Sequence, residues 1–191
     1  METKSSVSPG IKRKLIRTML LRLPMLPVVL GLVVLLPAGT WKVMELYYYL
    51  AVMLLPMIYV MVYFLRVDPQ FLVRRMRSRE KEKEQKALQF FNSLVFLGAF
   101  VIPGLDHRFG WSDVPLPVVL GADLLIFLGY LIVFAVFRQN SYASRIVEVE
   151  EKQEVISTGL YARVRHPMYS GVLLMFLPLP LALGSYWALP T

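Results

Sequence analysis

Between Ser157 and Gly171 the chain reads STGLYARVRHPMYSG. Two tyrosines, Tyr161 and Tyr169, two arginines, Arg163 and Arg165, and His166 fall within nine residues of one another. Tyrosine rings present faces to a cation or to another planar ring. Guanidinium and imidazole donate charge-assisted hydrogen bonds to an anion. Pro167 biases His166 away from helical geometry and is itself suited to the first position of a helix. The pattern predicts a loop that fixes His166, followed by a helix that carries Tyr169 into the next apolar segment. Each residue also has a plainer use. Tyrosines populate the membrane interface and arginines set topology, and a single histidine often serves only as a hydrogen-bonded structural group.

The surroundings of this stretch decide where such chemistry could take place. Of 191 residues, 57% are hydrophobic, and they are bunched into long uncharged runs. A soluble domain is closer to half apolar, and a soluble bundle would give each helix a polar face that these runs lack. The class is therefore a single integral membrane domain over residues 1–191. The net charge of +8 does not point to nucleic acid, because the basic residues sit at the ends of the apolar runs. The chain has no cysteine and two histidines, His107 and His166. That excludes disulfides and thiolate-held metals and disfavours a histidine-rich metal site.

Residues 1–22 read as a basic leader, and 23–41 as a first, retained span that Pro24, Pro27 and Pro37 make irregular. Residues 46–65 form a second span, opened by Tyr47, Tyr48 and Tyr49 and bent at Pro56. Residues 66–86 form a charged loop in which Asp68-Pro69 starts an amphipathic interfacial helix; topology or contact with anionic lipid headgroups are its two readings. Residues 87–105 are a third span, and 106–113 a polar link. Residues 114–137 are a fourth span, interrupted by Asp123, for which a structural or snorkelling role near the outer interface is expected. In 138–157, β-branched residues from Ile146 to Ile156 interleave with glutamates, which predicts a short strand pair on the membrane surface. The last helix is expected to run from Pro167 to about Leu183, with a turn at Gly184-Ser185. The expected fold is all-α, with about five transmembrane helices and a short β-like or loop segment before the last.

Lysine and arginine divide nineteen to two between alternate ends of these spans. The positive-inside rule then puts the N-terminus, the 66–86 loop and the 138–171 segment in the cytoplasm. His107 falls on the opposite side and is left out of the site.

The segment from Asn140 to Gly184 resembles the isoprenylcysteine carboxyl methyltransferases and their prokaryotic relatives, which are similar to phospholipid N-methyltransferases. The likeness rests on Asn140-Ser141-Tyr142, on 153–161 (QEVISTGLY), on 164–171 (VRHPMYSG) and on 180–185 (PLALGS). It extends more weakly to Asp68-Pro69 and to 105–111. The resemblance implies a multi-pass enzyme that binds S-adenosylmethionine at the cytoplasmic face and admits a lipophilic or prenylated substrate laterally from the bilayer. It also implies a cofactor site made of Gln153, Glu154, Val155, Ile156, Tyr161, Arg165, His166, Pro167, Met168 and Tyr169. Relatives continue through a further helix into a segment with an arginine and paired glutamates. The ending Leu189-Pro190-Thr191, without a polar tail, reads as a cut at the start of such a helix. Two other readings stand beside methyl transfer. Membrane sterol or enone reductases that use NADPH carry a similar Arg-His-Pro-x-Tyr, although Met168 and the lack of an acidic residue after Gly171 lean against them. A truncated, non-catalytic relative is the third.

Overall fold

The computed structural model describes residues 8–76, 83–139 and 159–191. The expected strand pair at 146–156 and the predicted site residues Gln153 to Ile156 lie outside them. The described residues form eight α-helices: α1 (Pro9–Arg22), α2 (Met25–Ala38), α3 (Met44–Val67), α4 (Pro69–Met76), α5 (Lys83–Phe109), α6 (Leu116–Gln139), α7 (Pro167–Phe176) and α8 (Leu179–Ala182). A 3-10 turn at Gly159–Ala162 precedes α7, and no strand occurs among the described residues.

Among the described residues, three helical stretches are long and apolar enough to cross a membrane: Gly10–Ala38, Met44–Val67 and Leu116–Gln139. The first is longer than the sequence suggests. The leader is helical from Pro9, and its apolar end at Met19-Leu20-Leu21 leads into α2 after a turn at Leu23-Pro24. α5 contains the third uncharged run and packs along α2. The fifth run is not one helix. Leu177 and Pro178 break it into α7 and α8, in place of the unbroken helix to Leu183 that was expected. Two prolines two residues apart, Pro178 and Pro180, each remove a backbone donor. Gly184 then turns the chain with φ of 72°.

The start of α4 follows the expectation at Asp68-Pro69. Proline occupies the first helical position, and the Asp68 carboxylate accepts the Phe71 N–H at 3.1 Å. This cap seats Phe71 against Phe64, with ring centroids 4.2 Å apart. Leu15, Phe64, Phe71 and Leu72 form one apolar cluster, with Phe134 and Phe137 of α6 packed against it. A second cluster joins Val34, Leu46, Tyr49, Phe100, Ala122, Ile126, Leu179 and Ala182, and so unites α2, α3, α5, α6 and α8.

Asp123, for which a structural or snorkelling role was expected, is buried. Its side chain is 4% exposed, and neither carboxylate oxygen has a hydrogen-bond partner among the described residues. It lies on the face of α6 that also carries Ala122 and Ile126, which is the face turned into the second cluster.

Asp106 is the other buried acid, and it is satisfied. It lies in the last turn of α5 and is 1% exposed. Its Oδ1 accepts the Ser112 N–H at 2.7 Å, and its Oδ2 accepts the Ser112 hydroxyl at 2.7 Å and also the Ser185 hydroxyl. Those hydroxyls in turn accept the N–H groups of Tyr186 at 3.1 Å and Ala188 at 3.2 Å. One carboxylate thus fastens the link after α5 to the segment after α8.

Candidate functional site

The described part of the motif hangs from α6 by two contacts. At the end of α6, the Gln139 side-chain carbonyl accepts the Leu160 N–H at 3.1 Å. Gly159 permits this by having no side chain. Its φ is 63°, and a Cβ there would stand 2.5 Å from Gln139 Nε2. The 3-10 turn that follows places Tyr161 and closes with the N–H groups of Arg163 and Val164 bonded to the Leu160 carbonyl at 3.2 and 3.0 Å.

The second contact is between helices. A Cβ on Gly129 of α6 would lie 2.6 Å from the Gly171 carbonyl oxygen, and one on Gly171 would lie 3.0 Å from the Gly129 carbonyl oxygen. Helix backbones approach this closely only across small residues, as is common between membrane helices. Gly171 therefore has a packing role that fixes α7 against α6.

These contacts set the geometry of the predicted residues. His166 has non-helical backbone angles (φ −130°, ψ 66°) and occupies the N-cap position of α7 without a side-chain capping bond, and Pro167 takes the first helical position, as the sequence suggests. The His166 carbonyl accepts the Tyr169 N–H at 3.1 Å. The two rings lie on one side of the helix start, with centroids 5.5 Å apart and planes at 40°. Both are exposed, Tyr169 to 66%. Arg165 is exposed, Tyr161 and Met168 are half-buried, and Pro167 is buried. The structure thus brings His166 and Tyr169 together, leaves Arg165 beside them in the chain, and gives Pro167 a backbone role. Gln139 and Gly129 are the supports that sequence reasoning missed. Their signals were faint: an amide at the end of an apolar run, and a glycine within one.

The arrangement has no acid–base relay among its described residues. It does offer an imidazole and a phenol at the N-terminal end of a ten-residue helix, where the helix dipole favours an anionic group. His107 stands at the far end of the bundle. It precedes the start of α6, whereas the motif follows its end, and the 24 residues of α6 span about 36 Å.

The fold and this site define a class: an integral membrane protein, helical throughout its described residues, with a cluster of polar and aromatic side chains at the start of α7. Residues 117–190, which run from the start of α6 past α8 and include the whole motif, match the family model described as phospholipid methyltransferase. Over this segment the resemblance read from the sequence is borne out, and the family is one of membrane methyltransferases. No curated protein and no solved structure matches the chain.

Proposed function

We propose that the chain is an S-adenosylmethionine-dependent methyltransferase that works at the membrane face bearing the start of α7, and that this face is cytoplasmic. The observation that carries this reading is the family match over 117–190, which contains the paired His166 and Tyr169. The division of basic residues, nineteen against two, supports the orientation.

S-adenosylmethionine supplies an electrophilic methyl group on a sulfonium. The donor set suits that molecule. Exposed His166 and Arg165 can meet its carboxylate, an interaction the α7 N-terminus favours. Tyr161 and Tyr169 offer ring faces to adenine or to the sulfonium. Gln153 and the backbone of Val155 and Ile156 are assigned to the ribose or to adenine, and Glu154, Pro167 and Met168 belong to the same set by the family resemblance. The acceptor is a lipophilic molecule, a prenylated cysteine carboxylate or another lipid, that arrives laterally from the bilayer. A carboxylate acceptor is already ionised at neutral pH. No general base is then required, and the residues contribute alignment and exclusion of water.

Calorimetric titration of S-adenosylmethionine into the detergent-purified chain tests this. Saturable binding weakened at least tenfold by both His166→Ala and Tyr169→Ala is expected. Saturable binding of NADPH with none of S-adenosylmethionine would overturn the reading in favour of a reductase. Because the chain has no native cysteine, orientation is tested separately. A single cysteine at Arg163 should be shielded from impermeant maleimide in intact cells, and one at Asp113 should be labelled.

A further inference from the structure

A groove on the other flank of α6 has no part in the reading above. It lies between α1–α2, α3, α4 and the end of α6, and encloses about 400 Å³. That is within the roughly 300–1,000 Å³ of small-molecule sites. Leu26, Val60, Met61 and Phe137 form its apolar walls, and Arg22 and Arg75 are its two charged members. The guanidinium of Arg75 sits 4.6 Å from the centre of the Phe137 ring, which holds it at the groove. Arg22 is exposed at the end of α1. Among the described residues, no acidic side chain lines the groove.

Position strengthens the chemistry. Arg22 ends the leader helix, Arg75 lies on the amphipathic helix after α3, and Phe137 lies in the last turn of α6. All three are at the membrane face that carries the motif. From there the walls descend along α3 to Met57, ten residues before its end at Val67, or about 15 Å toward the bilayer centre. A cationic rim over an apolar trough that starts at the interface and runs inward is complementary to an anionic amphiphile. It is poorly complementary to a soluble anion, which would leave the apolar walls unused. Phe137 and Gln139 are two residues apart, which turns them about 200° around the helix. The groove and the motif therefore occupy opposite flanks of the same helix end.

We propose that this groove binds one anionic phospholipid of the bilayer, with its phosphate held by Arg22 and Arg75 and an acyl chain lying against Leu26, Val60 and Met61. The site is separate from the methyl-donor residues and is read by binding alone, so its fate does not depend on the methyltransferase assignment.

The test is native mass spectrometry of the full chain released from micelles doped with phosphatidylglycerol or with phosphatidylcholine of the same chains. The expected result is one bound phosphatidylglycerol, preferred over phosphatidylcholine. Arg22→Gln with Arg75→Gln should weaken it roughly thirty-fold, the combined worth of two basic residues beside anionic lipid. Arg13→Gln with Lys14→Gln removes the same charge from the exposed side of α1, away from the groove, and should leave binding at the wild-type level. Val60→Trp fills the trough and should reduce retention with both arginines in place; Leu26→Trp fills it from the facing helix if the first variant does not fold. Equal losses from the two charge-removing pairs would mean diffuse surface attraction and overturn the proposal. So would indifference to Arg22 and Arg75, unchanged retention in the filled groove, or displacement of the lipid by glycerol phosphate.

Discussion

Gly129→Ala should loosen α7 from α6, and its effect can be isolated within one helix. The new Cβ would stand 2.6 Å from the Gly171 carbonyl oxygen, 2.7 Å from Met175 Cγ and 3.1 Å from the Met175 nitrogen. Ordinary contact begins at 3.4 Å, so the nearest pair must part by 0.8 Å, the difference between 3.4 and 2.6. Two of the three obstructing atoms are backbone, and no rotamer change relieves them. Such overpacking costs about 1–3 kcal/mol. Alanine also recovers about 0.8–1 kcal/mol over glycine inside a helix, which masks part of the loss. Gly121→Ala removes that ambiguity. It lies in the same helix, is exposed, and its Cβ would meet nothing within 4 Å. The propensity gain is common to both variants, so their difference in stability isolates the clash at about 1–3 kcal/mol. Gly171→Ala should fall between them, because its closest neighbour, at 2.8 Å, is the Val133 side chain.

The assay is the unfolding midpoint of each variant in one detergent, followed by S-adenosylmethionine titration of the folded protein. The order should be Gly121→Ala most stable, then Gly171→Ala, then Gly129→Ala. Affinity should fall in Gly129→Ala, because a displacement of α7 moves His166 and Tyr169 together. Equal midpoints for Gly121→Ala and Gly129→Ala would refute the close approach of the two helices.

Three further perturbations follow from the same geometry. Gly159→Ala meets both a positive φ and the Gln139 amide, so it should cost about 1–2 kcal/mol; Gln139→Ala, which removes the acceptor of the Leu160 N–H, should weaken S-adenosylmethionine binding with little change in helix content by circular dichroism. Asp106→Ala strands buried donors that cost about 1–3 kcal/mol each, whereas Asp106→Asn keeps one acceptor and should be milder; in both, midpoint falls while cofactor affinity of the folded fraction holds. Asp123→Leu replaces a buried carboxyl that lacks a hydrogen-bond partner among the described residues, so detergent unfolding should show a gain of about 1–3 kcal/mol, and a loss would show that the carboxyl has a partner in the membrane.

What the sequence made legible were the features written in consecutive residues. Uncharged runs without a polar face announced the spans, Asp68-Pro69 announced a capped helix, and His166-Pro167 announced a loop-to-helix junction. The illegible features join distant residues. Gln139 bonds a backbone group 21 positions away, and Ser185 bonds Asp106 across 79 positions. Neither spacing has a periodic signature. The depth of Asp123 is hidden for a related reason. The residues of α6 on either side of it are apolar, so the sequence does not declare which face meets α3 and α8, and position along the helix carries no sign of burial. The break between α7 and α8 depends on a run of apolar residues that either a long helix or two short ones could bury.

Beyond the shared apolar cluster, the part of the chain outside the family match meets the matched segment through two contacts of different chemistry, and the difference predicts what each can influence. At the end away from the motif, Asp106 of α5 grips Ser185 through hydrogen bonds. That end is about 36 Å of helix α6 from Gln139, and a change there has only rigid-body means of reaching the donor residues. At the motif face, Phe64 and Phe71 pack on Phe134 and Phe137, with Phe71 and Phe137 ring centroids 5.2 Å apart. Here the contact is with the last turn of α6, two residues from the glutamine that holds the 3-10 turn. A change in the packing of α4 therefore acts on the same turn that positions Tyr161 and leads into His166. The N-terminal half can thus stabilise the fold from one end and tune the site from the other, through α6 at the motif face and also through Phe96 of α5, whose ring lies 5.8 Å from that of Phe176 in α7.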